Sequence, residues 1–303
     1  MYKVQKNLPF KDILLKPFPV IVQLQTISSC NGRCVMCPYP DVYRNITHGI
    51  MSFPLFEKII EECSSFGINE FKPFLMNEPL LDSRLPDMIS YVKNKLPNTR
   101  IGFSSNGLLM QGDMIRNIVN SGVDEVWFNF SGNTEKTYSK VMKGLDYIRV
   151  RKNIIDFANY AFQNRSDISI NISMVEVKDC LDEIEESIVF WKEYGVSVQP
   201  IPFNNRGGNS HENGIKVLEL PVGKRVCDKS IIKACILFDG RVILCPSDWR
   251  QKHVIGDVSK DGLFDVWNGK TRNEYVNKIL QCNYEGIDIC TKCDYTSIYE
   301  IED

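Results

Sequence analysis

The 303-residue sequence has no charge excess, no long apolar run, no internal repeat and no low-complexity tract. Lys and Arg total 36 against 38 Asp and Glu, leaving a formal net charge of −2. That balance offers no electrostatic footing for nucleic acid or an anionic membrane surface, and neither is expected as a partner. No stretch approaches the ~18 uninterrupted apolar residues of a membrane span. Residues 1–19 carry lysines but lack the apolar segment of a secretory signal, so a cytoplasmic location is expected. With 43% hydrophobic residues the chain can build a substantial core, which excludes disorder over most of its length.

What the sequence has in quantity is cysteine, eleven in all. A reducing compartment disfavours stable disulfides, so clustered thiols there point to metal ligation or catalysis. Three fall at Cys30, Cys34 and Cys37; six lie between Cys227 and Cys293, about 190 residues further on. Cys63 and Cys180 stand alone.

Between the two sets the chain alternates strand and helix signals. Strands are predicted at 20–28, 70–75, 100–104, 125–130, 168–175 and 196–201. Helices are predicted at 54–66, with Ser52 as N-cap and Gly67 as stop, and at 85–95, 113–120, 151–162 and 181–194. Six βα units imply an α/β fold, a partial (β/α)6 TIM-like barrel whose chemistry collects at the strand C-termini. Cys30 lies just past the first strand. Residues 204–214 (NNRGGNSHENG) read as a polar connector. Asp239-Gly240 between two apolar runs predicts a β-hairpin, and helical segments at 263–268 and 272–279 follow. The expected division is an N-terminal segment 1–19, a barrel 20–203, a connector 204–222 and a small hairpin-plus-helix extension 223–303.

Cys30-x3-Cys34-x2-Cys37 offers three thiolates within eight residues. Structural zinc sites and ordinary ferredoxin clusters take four protein ligands, so three leave one coordination position open. The alternative is a zinc site completed by a distant residue such as His48. The spacing after a first strand resembles the signature of the radical SAM superfamily. The resemblance implies a 4Fe–4S cluster whose open iron is chelated by S-adenosylmethionine, and an external one-electron donor such as flavodoxin or ferredoxin. Met76-Asn77-Glu78-Pro79 is similar to the family's Gly-Gly-Glu-Pro and implies that Glu78 accepts from the cofactor's ammonium, with Asn77 beside it. Ser105-Asn106, after the third strand, correspond to residues facing the ribose. Asn129 or Ser131, at the fourth strand end, is implied to hold the carboxylate. Met36 stands where many members place an aromatic against the adenine.

The second set holds six cysteines where one closed site needs four. If Asp239-Gly240 is a two-residue turn, Phe238 pairs with Arg241 and Ala234 faces Cys245. Cys235 then points away from Cys245, and Cys227, Cys245, Cys290 and Cys293 are the ligand set. With Asp248-Trp249 and Ile255-Gly256-Asp257, this region resembles the SPASM/twitch extension of radical SAM enzymes, in the form holding one auxiliary 4Fe–4S cluster. Its spacing is close to that of aminocyclitol dehydrogenases. A four-thiolate zinc site uses the same ligands.

An auxiliary cluster can accept the electron of a substrate radical, so dehydrogenation of a carbinol is expected ahead of epimerisation through a spare thiol such as Cys63, Cys180 or Cys235. Only about 20 residues precede the first strand, fewer than even a small domain needs. A small polar substrate such as a sugar, nucleotide sugar or aminocyclitol is therefore expected. Maturation of a ribosomal peptide with a separate recognition protein is the alternative, and a non-enzymatic zinc protein is a third reading. Arg206, His211 and Asp248 are candidate substrate-side residues. Lys143, Arg149 and Arg151 form a basic stretch.

Overall fold

Six parallel strands stand side by side in chain order in the computed structural model, which describes residues 16–165, 167–210 and 226–295. They are β1 (Ile21–Leu24), β2 (Glu70–Lys72), β3 (Arg100–Ser105), β4 (Glu125–Asn129), β5 (Ser169–Glu176) and β6 (Ser197–Pro202). β1 is uniformly buried, as expected of a strand covered on both faces. The sheet stays open. On the far side of β1, β7 (Lys233–Ile236) pairs parallel, with Gln23 opposite Cys235. β8 (Arg241–Ile243) and β9 (Val254–Asp257) then add antiparallel strands, giving nine in one sheet. The C-terminal extension thus continues the barrel sheet.

The helices follow from their patterning. Phe53–Phe66 buries Phe56, Ile59, Ile60 and Cys63, the i, i+3, i+4, i+7 stripe of a core-facing helix. Ser52 Oγ accepts the Leu55 amide and Gly67 turns the chain out at φ +77°. Leu85–Lys95 and Asp113–Asn120 coincide with their predicted bounds. Tyr147–Asn164 starts a turn before the predicted 151, because Asp146 Oδ1 caps it through the Arg149 amide. The predicted 181–194 helix is a 3-10 turn, Lys178–Glu183, followed by Ile184–Lys192. Glu135–Val141 and β9 are additions to the predicted elements.

The hairpin register differs from the two-residue reading. Leu237, not Phe238, closes the loop: its amide donates to Arg241 O at 2.8 Å and its carbonyl accepts from Gly240 N at 3.0 Å. Phe238-Asp239-Gly240 form a three-residue loop with Gly240 at φ +95°, the left-handed position that such loops reserve for glycine. The pairing therefore slips by one, and Cys235 faces Ile243. A one-residue slip reverses the face argument, so register does not separate Cys235 from Cys245. Position does: Cys235 is fully buried with Tyr39, Met76, Leu237 and Trp249, whereas Cys245 lies beyond the end of β8.

The expected connector is no slack linker where it is described. Asn204 Nδ2 and the Asn205 amide donate to Asp294 Oδ1 at 2.6 and 2.8 Å, and Asn205 Nδ2 donates to Lys292 O. Asn209 Nδ2 donates to Ser247 O, and Ser210 Oγ to Met36 O at 3.1 Å. Residues 204–210 thus pin both cysteine regions to the end of β6. His211 and the rest of the connector lie outside the described residues. Among the described residues no helix is long and apolar enough to cross a membrane.

Candidate active site

The loop after β1 carries Cys30, Cys34 and Cys37, all half-buried. Its shape is set by backbone contacts: Arg33 N donates to Lys143 O at 2.7 Å and Val35 N to Val141 O at 2.9 Å. Tyr39 Oη accepts the Cys30 amide at 2.9 Å. The three thiols bear on one another. Burial pushes Cys30 up to about 12, with Glu78 adding to it. Burial likewise raises Cys34, helped by Cys37 and Cys30.

Glu78 arrives from the end of β2 and is 2% exposed. Its Oε2 accepts the Asn106 amide at 2.7 Å, and its Oε1 accepts from Ser105 Oγ at 2.7 Å and from the Leu80 amide at 3.1 Å. Burial nevertheless outweighs these bonds and pushes its carboxyl up to about 7. Asn106 Nδ2 donates to Asn31 Oδ1 at 2.6 Å, which ties the β3 end to the cysteine loop. Asn77 Oδ1 accepts the Leu75 amide, while its buried Nδ2 has no partner. Asn129 Nδ2 donates to Ser104 Oγ at 3.0 Å, and Ser131 Oγ accepts the Val175 amide at 2.9 Å. Met36 is buried in the main core. Glu78, Ser105 and Asn106 are thus brought together beside the thiol loop; Asn129 and Ser131 brace neighbouring strands.

The second set converges from three places: Cys227 ahead of β7, Cys245 after β8, and Cys290 and Cys293 around the Asp288–Thr291 helix. All four line one cavity with Lys229, Ser230, Ser247, Tyr284, Ile289 and Tyr295. Burial pushes Cys227 up to about 12 and also raises Cys245. Cys282 and Cys235 do not line it.

Both sets suit metal-bound sulfur. The amide two residues on donates to Cys30, Cys37, Cys245 and Cys293, through Gly32, Tyr39, Ser247 and Tyr295, at 3.4 to 3.5 Å. Such donors stabilise thiolates and tune iron–sulfur clusters, and metal binding supplies the deprotonation that burial opposes. Among the described residues no three His, Cys, Asp or Glu side chains are disposed to hold a single metal ion. The four thiols of the second set surround a cavity.

The sequence model of the radical SAM superfamily matches residues 24–190. The chain belongs to the radical SAM superfamily. Residues 227–294 match SPASM, an iron–sulfur cluster-binding domain. This radical SAM enzyme therefore binds S-adenosylmethionine and a 4Fe–4S cluster in its barrel, and auxiliary iron–sulfur in its C-terminal domain. A tungsten-containing aldehyde ferredoxin oxidoreductase cofactor-modifying protein of Pyrococcus furiosus is 23% identical over 318 residues, spanning 89% of this chain and 86% of its own. The S-adenosyl-L-methionine-dependent 2-deoxy-scyllo-inosamine dehydrogenase of Niallia circulans is 18% identical over 281 residues, spanning 92% and 94%. Among solved structures, BtrN in complex with AdoMet and 2-DOIA has a TM-score of 0.67 at 17% identity, over 93% of this chain and 95% of that one. Streptococcus suis SuiB bound to precursor peptide SuiA has a TM-score of 0.70 at 14% identity, over 94% and 73%. At these identities the likeness establishes the fold.

The other side chains singled out in the sequence have local partners or surroundings of their own. Asp248 is fully buried and accepts the Lys252 and His253 amides at 3.1 and 2.7 Å, so it shapes a turn. Arg206 is exposed in a left-handed turn at φ +53°. Arg149 donates to Gln111 Oε1 and Arg151 stacks 4.0 Å over the Phe190 ring. Cys63 and Cys180 are buried, the latter donating to Val175 O at 3.2 Å. Sequence reasoning missed Asn31, Tyr39, Asn205 and Asp294. Asn31, next to Cys30, and Asp294, next to Cys293, carried a positional hint.

Proposed function

We propose that this radical SAM enzyme oxidises a carbinol of a small polar molecule, of sugar, nucleotide-sugar or aminocyclitol type, to a ketone. Cys30, Cys34 and Cys37 hold the first cluster with one iron open to S-adenosylmethionine, and Cys227, Cys245, Cys290 and Cys293 hold the auxiliary one. The carrying observation is the single cavity lined by these last four thiols, on the same sheet as the three-thiol loop. Bound, the cofactors supply a 5′-deoxyadenosyl radical for hydrogen abstraction and an acceptor for the electron left behind.

The protein's part is positional. Glu78 is held by Ser105, Asn106 and Leu80 with a lone pair to spare, which suits a cofactor ammonium. The unpartnered Asn77 Nδ2 is a donor awaiting an acceptor at the same strand end. Met36 offers an apolar wall, and Asn129 or Ser131 a polar contact. An external one-electron donor such as flavodoxin or ferredoxin primes the first cluster. The dehydrogenase relative supports the reaction type, and the cofactor-modifying relative also carries a name that fits a small substrate. The peptide-bound neighbour favours the alternative, maturation of a peptide.

The test is anaerobic reconstitution followed by a substrate panel of sugars, nucleotide sugars and aminocyclitols, read by mass spectrometry. A product lighter by two hydrogens, lost in C245A/C290A/C293A while 5′-deoxyadenosine still forms, is expected. A product of unchanged mass in H2O that gains one deuterium in D2O would assign epimerisation instead. Turnover of a short precursor peptide alone would assign maturation.

A further inference from the structure

Lys229 is the cation inside the four-thiol cavity. Its residue lines that space together with Cys227, Cys245, Cys290 and Cys293, and its Nζ stands 3.3 Å from the centroid of the Tyr295 ring. Among the described residues it makes no ion pair and no side-chain hydrogen bond, and the aromatic face is its one close partner. Burial pulls the Lys229 ammonium below its usual value, joined by two further cations, Arg206 and Lys233, while the Cys245 and Cys227 sulfurs, as anions, hold the proton on it. The adjacent Asp228 carboxylate raises the Cys227 thiol but makes no ion pair with the ammonium.

A partly enclosed ammonium facing an aromatic ring, thiols and like charges is short of an anion, and this is costly unless a ligand supplies one. Four thiolates around a 4Fe–4S core form an anionic group, and each added electron makes it more negative. A fixed cation at the rim therefore favours the reduced state, and does so more strongly in a shielded cavity than in water. We propose that Lys229 raises the reduction potential of the auxiliary cluster and so poises it to take the substrate's electron. The proposal rests on the reading of the cavity as a cluster site. Lys229 acts through the cluster and touches no substrate.

The experiment uses the full-length chain carrying C30A/C34A/C37A, so that only the auxiliary cluster contributes iron and signal. Potentiometric titration followed by electron paramagnetic resonance compares Lys229, K229M and K229R. K229M is expected to weaken reduction about tenfold, a shift of ~59 mV to more negative potential for one electron, with about four irons retained per chain. K229R, which keeps the charge, is expected to restore the potential. An unshifted potential in fully loaded K229M overturns the role of Lys229 and leaves the cluster standing. Absence of iron–sulfur signal in the Lys229 protein overturns the cluster reading itself. If K229M does not load, K229Q takes its place. Failure of both to load shows that Lys229 holds the cluster in place, and the proposal falls.

Discussion

Cys30, Cys34 and Cys37 share one loop of eight residues, whereas Cys227, Cys245, Cys290 and Cys293 come from three segments spread over about 65 residues. The first loop carries its three thiols in one stretch of chain, and main-chain bonds to Val141 and Lys143, with side-chain bonds from Asn106 and Ser210, hold its shape. The second set depends on the strand that carries Cys245, the short helix that carries Cys290, and a connector whose side chains join them. Asn205, Asn209 and Asp294 do that joining from inside the fold. The local set thus needs distant segments only to hold its shape, whereas the assembled set needs them to bring its thiols together at all. The same contrast divides the chemistry: three thiols leave a coordination position for a cofactor, and four close a site for electron transfer.

The most severe way to sharpen this contrast is to remove the local set. C30A/C34A/C37A is expected to abolish formation of 5′-deoxyadenosine and to lower iron from about eight to about four per chain. Iron and sulfide analysis beside a cleavage assay reads both, and persistent cleavage would break the assignment of the two sets.

A smaller effect is expected from Asp294→Ala. Asp294 is fully buried and receives Asn204 Nδ2 and the Asn205 amide, so its loss leaves buried donors unsatisfied at ~1–3 kcal/mol. Calorimetry should show a lowered unfolding temperature, and iron analysis a deficit confined to the second set while cofactor cleavage persists. Equal loss from both sets would mean that the two are not separable.

An effect that appears only as a pH dependence concerns Glu78. Burial raises its carboxyl from 4.5 to about 7 in the folded chain, so the folded state binds the proton more tightly than the unfolded one. That contribution is fully present below pH 4.5 and is lost as pH rises through about 7. In the metal-free protein, the stability of wild type relative to E78Q should therefore fall between pH 5 and pH 8. Paired denaturant titrations at the two pH values check it, and a constant difference would mean that Glu78 does not titrate in that window.

Much of the barrel was legible because its signals are local. Apolar stripes at helical spacing, Ser52 and Gly67 at a helix's ends, and β-branched runs between loops depend on neighbours in sequence. The hairpin was legible as a hairpin but not in register, because Asp-Gly serves two-residue and three-residue loops alike. The choice was made by where Gly240 falls, at the left-handed third position. The connector read as a boundary because its composition is polar, yet Asn205 and Ser210 are buried, their polarity satisfied by groups distant in sequence. Asp248 read as a substrate-side residue because it stands beside Cys245, and its partners are backbone amides.

By itself the sequence determined the alternation of βα units, the tight spacing of Cys30, Cys34 and Cys37, and membership in a superfamily, since periodicity and short spacing survive without knowledge of the fold. Only the tertiary structure decided that the extension continues the barrel sheet through β7, that Cys227, Cys245, Cys290 and Cys293 line one cavity while Cys235 and Cys282 stay outside it, and that Lys229 faces them. Those facts rest on contacts between residues tens to hundreds of positions apart, where strand register and buried polar pairing, rather than local pattern, choose the neighbours.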